Sequence, residues 1–171
     1  MAEGAEAPFA RLRQEGNELT FAKGTKTAIS TTEEQIKTML RKAGANTIAM
    51  MEEPTSAVVA FHLQGRSIRF RLPLPTRDGF LRSQRGTGWQ ENKESTVDNL
   101  WMQASRERWR QLHLCIKAKL ESVEQEIELF DDAFLSQIVT PDGETIGEKV
   151  KPQMTALMDG RPLRPLLGGP S

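Results

Sequence analysis

The feature that most constrains the fold is an apolar stripe of helical period in the second half of the chain. The stripe consists of Trp101, Ser105, Trp109, Leu112, Ile116, Leu120, Val123, Ile127, Phe130 and Phe134. Steps of three and four residues keep one face of an α-helix apolar. Ser95 or Thr96, followed by Asp98, provides a start signal. The sequence therefore predicts one long amphipathic helix over residues 96–137.

A helix of that length raises a packing question. About 40 residues at about 1.5 Å each span about 60 Å, which is more than a small sheet covers. Two interpretations remain open: the helix breaks into two, or its far half packs against another subunit. We favour the second.

Three predicted strands precede the long helix. Residues 57–64 and 67–74 alternate apolar and polar side chains around Gly65, which is typical of a hairpin. Residues 47–51 form a shorter apolar run. Because side chains alternate along a strand, one face becomes the core, and the basic residues Arg69 and Arg71 lie on the other. The predicted core face consists of Val59, Phe61, Leu63, Ile68, Phe70 and Leu72.

The ends of the domain are predicted from local signals. Thr31 or Thr32 with Glu34 resembles a capping box, so a short helix begins there, and Gly44 is a plausible stop. Residues 138–148 predict a small hairpin around a Pro-Asp-Gly turn.

We predict an α+β fold: a short helix, a three-stranded antiparallel sheet, a long amphipathic helix and a small C-terminal hairpin. Residues 29–158 are the single domain, with a long basic loop at 75–95. Residues 1–28 are predicted to be a flexible N-terminal arm, and residues 159–171 a flexible tail rich in Pro and Gly.

Charge is unevenly distributed although the net charge is zero. Residues 60–119 contain 12 Lys and Arg against 5 Asp and Glu, whereas residues 120–148 contain 9 acidic and no basic residues. Three interpretations are open: two solvated faces, head-to-tail contacts between subunits, or a basic surface for a polyanion with the acidic region kept away from it.

Several functional classes are disfavoured. No apolar run approaches the roughly 20 residues of a membrane span, and the N-terminus does not resemble a signal peptide. The single cysteine, Cys115, fits a reducing cytoplasm and is expected to be a small buried hydrophobe. His62 and His113 lie on different elements without ligand spacing. We expect no catalytic residue, no metal and no cofactor.

The arginines indicate anion binding. Guanidinium groups bind phosphates through paired hydrogen bonds, and the aromatic side chains of the loop can stack on unpaired bases. If the long helix crosses the sheet, its N-terminal half lies next to the loop and these groups form a groove with arginine walls; a plain solvated surface is the alternative. The candidate DNA-binding residues are Arg66, Arg69, Arg71, Arg77, Phe80, Arg82, Arg85, Trp89, Arg106 and Arg110.

Two resemblances bear on function. The segments EEQIKTMLRKAGA, QGRSIRFRLPLP and RERWRQLHLCIKAKLESVEQEIELFDDAFLSQIVTPDGETIGEKVKPQ resemble an uncharacterised family of small phage and prophage proteins. That resemblance implies a phage setting and the cytoplasm of a bacterial host, without an activity.

The second resemblance is one of topology. The predicted order of elements is a helix, three antiparallel strands and a long helix. This order is similar to that in the core of the Rad52-like and Redβ-like single-strand annealing proteins, which form rings or filaments. No residue motif of those proteins is present. The resemblance implies that the protein binds and anneals single-stranded DNA in phage homologous recombination. It also implies that the protein acts as a homo-oligomer and does not associate with a membrane. The alternative is an assembly protein, either a scaffold or an inhibitor of a host complex, that binds no nucleic acid.

Overall fold

The predicted fold class is confirmed by a computed structural model, which describes residues 22–162 of the 171-residue chain. The helices are α1 (Ile29–Lys42), α2 (Glu94–Glu124), α3 (Phe130–Phe134), α4 (Ile146–Val150) and α5 (Met154–Met158). The strands are β1 (Thr47–Glu53), β2 (Ser56–Leu63), β3 (Arg66–Pro73), β4 (Arg82–Arg85) and β5 (Gly88–Glu91). The predicted arm at 1–28 and tail at 159–171 lie largely outside the described residues.

The main sheet is antiparallel, with the order β1-β2-β3. Gln64 and Gly65 link β2 to β3, with φ of 48° and 75°, and two successive positive φ values are typical of the hairpin turn that matches strand twist. Phe61 pairs with Ile68, and Val59 with Phe70. All six side chains of the predicted core face are buried, so that prediction is confirmed.

The start of α1 was predicted wrongly. The helix begins at Ile29, after Ala28, and no side chain caps it. Thr32 is buried inside the first turn, and its hydroxyl donates to the Ala28 carbonyl at 3.3 Å. The threonine therefore bonds back within the helix instead of starting it. The predicted stop is confirmed, since Gly44 follows the helix with φ of 94°.

The long helix ends at Glu124, so the prediction of one helix over 96–137 is wrong. Glu126 has φ of 56°, and Ile127 and Leu129, which follow this reversal, are 76% and 75% exposed. The chain turns back as α3. The pattern cannot distinguish one helix from two helices that face one core; Ile127, the stripe residue between the two helices, is exposed and does not face that core.

The acidic second half of the stripe packs on its own sheet and not against another subunit. Phe134 of α3 is fully buried, and its ring lies 6.3 Å from those of Phe61 and Phe70, edge-on to both. The ring of Phe130 stacks on it at 4.9 Å. The α1 and α2 helices close the same face of the sheet through Ile36, Leu40, Trp109 and Ile116.

The C-terminal hairpin predicted at 138–148 is present as a single bridge between Val139 and Thr145. Ile138 also bridges Ile68 of β3, so this segment lies along the outer edge of β3. The short helix α4 follows, and Thr145 and Glu148 form its reciprocal capping box. Within residues 22–162 no helix is long and apolar enough to cross a membrane.

Candidate nucleic-acid interface

The basic loop predicted at 75–95 forms a small ordered unit. A 3-10 turn at Arg77–Phe80 leads into the antiparallel hairpin β4–β5, in which Arg82 pairs with Glu91 and Gln84 with Trp89. The unit is tied to the main domain at its base, where the Trp101 indole donates to the Pro75 carbonyl at 2.9 Å. We refer to residues 77–91 as the basic hairpin unit.

Arg77 anchors this unit to α2. Its Nε donates to Asp98 Oδ1 at 2.7 Å, and its Nη2 to Glu94 Oε1 at 3.2 Å. The hydrogen bond with Asp98 raises the pKa of the Arg77 guanidinium. Because both carboxylates belong to the first turns of α2, Arg77 fixes the hairpin against the helix and is not free for a phosphate.

Asn92 holds the other end of the unit and was missed by sequence reasoning. Its Nδ2 donates to the Phe80 carbonyl at 2.9 Å, and its Oδ1 accepts from Ser83 at 2.9 Å and from Arg85 Nη2 at 3.3 Å. No local pattern distinguishes this asparagine from any other loop residue. It positions the Arg85 guanidinium at the hairpin surface.

Trp89 is the most prominent side chain of the basic hairpin unit. It is 63% exposed, and the pairing register places it on one face of the hairpin with Arg82, Gln84 and Glu91. Arg82 is exposed opposite Glu91, and no hydrogen bond or ion pair joins its side chain to another described residue. Phe80 is only half exposed. The hairpin therefore presents one accessible indole beside a free guanidinium.

The arginines of β3 lie on the face of the sheet opposite to α1 and α2. Arg69 pairs with Ala60, and Arg71 with Val58, so both alternate with the buried side chains. Arg69 Nη2 donates to Glu148 Oε2 at 2.6 Å. Arg71 is exposed and has no ionic partner in the described part of the chain.

Arg66 and the acidic segment are joined by a bidentate ion pair. Arg66 Nε and Nη2 donate to the two oxygens of Asp131 at 3.1 and 2.9 Å, and these hydrogen bonds raise the pKa of the Arg66 guanidinium. The acidic region is thus folded onto β3. The interpretation in which it is kept away from the basic surface is wrong, since the break after α2 returns it there.

Arg106 and Arg110 are bound to side-chain amides. Arg106 Nη2 donates to Gln103 Oε1, and Arg110 Nη1 to Gln35 Oε1 of α1, each at 2.7 Å. These arginines lie on the helical side of the sheet, with the apolar core between them and Arg69. The single groove with arginine walls that we predicted is not formed, because strand alternation sends the β3 arginines to the opposite face.

Other chemistry is limited. No group of three or more His, Cys, Asp or Glu is arranged to hold a metal ion among the residues described. Cys115 is exposed, so the prediction of a buried cysteine is wrong: it lies one position beside the stripe. His113 is buried on α2, and this burial lowers its pKa.

The comparisons with known proteins add no relative. No family model matches the chain, and no curated protein or solved structure is similar to it. The candidate interface therefore rests on its own geometry, in which Arg71, Arg82, Arg85 and Trp89 are the accessible members of the predicted set.

Proposed function

We propose that this protein binds single-stranded DNA through the basic hairpin unit and promotes annealing in phage homologous recombination as a homo-oligomer. The observation that supports binding is the exposed Trp89 on a hairpin that also bears Arg82 and Arg85. An indole on an ordered hairpin exposes a flat apolar surface at an energetic cost, and an unpaired base can cover it.

The supporting chemistry has two parts. Stacking of a base on an aromatic ring contributes roughly 1–3 kcal/mol and tolerates any base. The exposed guanidinium groups of the hairpin attract the phosphate backbone, and this contribution weakens with salt as counterions are released. Arg71, exposed on β3, is another cation without an ionic partner among the described residues. Lys93, exposed directly after the hairpin, adds another.

The test is fluorescence anisotropy of a labelled single-stranded oligonucleotide, repeated with the duplex of the same sequence and at low and high salt. The proposal expects salt-sensitive binding that prefers the single strand. The double variant Arg82→Glu/Arg85→Glu should abolish binding at low salt. The double variant Arg41→Glu/Lys117→Glu is the matched control, because it reverses two exposed charges on α1 and α2, and it should bind like the unmodified protein.

Two results would overturn the site. Binding that survives the double reversal excludes the basic hairpin unit, and an absence of binding at low salt excludes nucleic acid as the ligand. Annealing is tested separately, by mixing two complementary labelled strands and following energy transfer between them. Acceleration by the unmodified protein and not by the double variant supports the annealing step.

A protein-assembly function is the second candidate, and one observation favours it. Arg66 and Arg69 each contact a carboxylate of the acidic segment at residues 120–148, so part of the positive surplus of residues 60–119 is neutralised within the chain. A scaffold or an inhibitor of a host complex does not require free cations. This alternative predicts self-association or partner binding that is unchanged by added oligonucleotide.

A further inference from the structure

The two edges of the main sheet differ in whether another segment pairs with them. The outer edge of β3 is occupied at its start, where Ile138 bridges Ile68 and the Val139 amide donates to the Ser67 carbonyl at 2.8 Å. The rest of that edge carries Arg69 and Arg71. No strand lies on the outer side of β1 within the part of the chain that the structure describes.

The first five residues of β1 lack the usual protection of a free edge, and charge enters the strand only at Glu52 and Glu53. Proteins discourage edge pairing with charges, prolines, bulges or a covering segment. Residues 47–51, Thr-Ile-Ala-Met-Met, contain neither a charge nor a proline. Met51 is 61% exposed and Ala49 is exposed beside it on the same face. Such an edge favours pairing with another strand.

The register of β1 with β2 identifies the backbone groups that are available. Glu53 and Ser56 flank a two-residue loop, and the pair next to such a loop exchanges both backbone hydrogen bonds. Alternation along the strand then directs the amides and carbonyls of Ile48, Met50 and Glu52 away from β2. The Leu74 amide donates to the Thr55 carbonyl at 2.9 Å. This bond directs the backbone groups of the odd-numbered residues of β2 towards β3, so the backbone groups of its even-numbered residues, such as Ser56, face β1.

The strand is complementary to a second, antiparallel copy of itself. With Met50 opposite Met50 on a two-fold axis, Ile48 faces Glu52 and the small Ala49 faces the exposed Met51. No two like charges are opposed in this register. The three outward positions of each copy then meet as hydrogen-bonded pairs.

Charge at the two ends of β1 favours the same arrangement. Glu52 and Glu53 end the strand, whereas Arg41 and Lys42 end α1 shortly before the strand begins. Antiparallel pairing brings the acidic end of one copy towards the basic start of the other. Parallel pairing would place the two acidic ends together, which costs energy.

We infer that the protein forms a two-fold dimer in which β1 pairs antiparallel with β1 of a second copy and joins the two sheets into one of six strands. The interface is formed by identical strands, as in closed two-fold assemblies. It involves neither the basic hairpin unit nor DNA, so it stands independently of the proposed function.

The first test is light scattering after gel filtration of the full chain, without DNA, over a range of concentrations. The expected mass at high concentration is twice the 19.2 kDa of one chain. Glu52→Pro removes an outward amide without touching the bonds to β2 and should leave a monomer. Glu52→Ala, which loses the same carboxylate and keeps the amide, is the matched control and should still dimerise.

The second test determines the register in which the two β1 strands pair. In a Cys115→Ser background, Met50→Cys should form an intermolecular disulfide rapidly under oxidation, because the two positions meet on the axis within disulfide range. Thr47→Cys places the two sulfurs about 20 Å apart at about 3.4 Å per residue and should not. A monomeric unmodified protein, an undiminished Glu52→Pro dimer, or equal cross-linking of both cysteine variants would each overturn the inference. Circular dichroism confirms that each variant is folded.

Discussion

Arg69 Nη2 lies 2.6 Å from Glu148 Oε2, and this contact joins the centre of β3 to the capping box of α4. Glu148 also accepts from the Thr145 amide at 2.8 Å, and this backbone hydrogen bond, with that from Arg69, lowers the pKa of its carboxyl group. One carboxylate thus caps a helix and occupies an arginine that the sequence offers as a phosphate ligand.

Replacing Glu148 should release Arg69. Glu148→Gln keeps the capping interaction, because glutamine serves at that position of a capping box, but it removes the charge that neutralises the guanidinium. If DNA binds near β3, the slope of log affinity against log salt should steepen by roughly 0.7, the value of one added phosphate contact on a single strand. Anisotropy titrations at several salt concentrations measure it.

The control for that experiment is Glu144→Gln. Glu144 lies 3.7 Å from Lys149 and makes no ion pair with Arg69. Glu144→Gln therefore changes the net charge by the same amount as Glu148→Gln without releasing Arg69. An identical slope change in both variants would show that general charge, and not release of Arg69, is responsible.

Trp89 should contribute directly to single-strand affinity. Trp89→Ala is expected to weaken binding by roughly 1–3 kcal/mol, about 5-fold to 150-fold, through loss of stacking. Trp89→Phe should retain most of the affinity because a ring remains. Unfolding in urea should differ little among the three proteins, since the side chain is 63% exposed. Equal affinity of the alanine and phenylalanine variants would contradict a stacking role.

Phe134 should be essential to stability. Phe134→Ala removes a fully buried ring that contacts Phe61 and Phe70, and such truncations cost roughly 3–5 kcal/mol. Leu129→Ala, at a 75% exposed position before α3, should stay within about 0.5 kcal/mol of the unmodified protein. Urea denaturation followed by circular dichroism measures both. Similar small effects would mean that α3 does not pack on its own core.

Gly147 should not tolerate a side chain. A Cβ at this position would lie 2.7 Å from the Ser136 carbonyl oxygen, so Gly147→Ala forces α4 away from the turn at Leu135–Gln137 that follows α3. We expect a loss of roughly 1–3 kcal/mol, as for other overpacked sites. Gly79→Ala is the control, because its Cβ would meet open space. The free energies of unfolding of the two variants give the comparison, and equal values would contradict the close approach.

The turn before α4 should make stability depend on acid pH. Hydrogen bonds from Lys149 and Thr140 lower the pKa of Asp142 to about 2, against about 3.9 for an unfolded aspartate. A lowered folded pKa stabilises the protein above about pH 4, and this contribution is lost as pH falls towards about 2.

Melting temperatures measured from neutral to acidic pH should therefore fall less steeply for Asp142→Asn than for the unmodified protein. Asp78→Asn removes an exposed carboxylate on the 3-10 turn and is the matched control. A profile of Asp142→Asn that parallels the unmodified protein throughout this window would refute the assignment.

Elements whose side chains follow a local period were predictable. The alternation of β2 and β3 predicted six buried residues of the hairpin, although Ala57 and Val58 are buried as well, and Gly65 and Gly44 mark turns that need positive φ. Prediction failed where a local signal had two meanings. The spacing of Phe130 and Phe134 fits a continued helix as well as a second helix on the same core, and the reversal at Glu126 and the exposure of Ile127 distinguish them.

The candidate site was predictable in its residue types and not in its partners. The sequence shows which side chains are arginine or tryptophan, and strand alternation shows that Arg69 and Arg71 share a face. Whether a guanidinium is free depends on residues far away in the chain: Asp131 reaches Arg66 across 65 positions, and Glu148 reaches Arg69 across 79. No local pattern contains that information.

The sequence by itself determined the α+β class, the strand faces and the surplus of cations between residues 60 and 119, because these follow from local periods and composition. The tertiary structure decided that α2 ends at Glu124, that the acidic segment returns to β3, and that Arg82 and Trp89 remain accessible. These outcomes depend on contacts between distant segments, since burial of α3 on the sheet compensates for the reversal after α2.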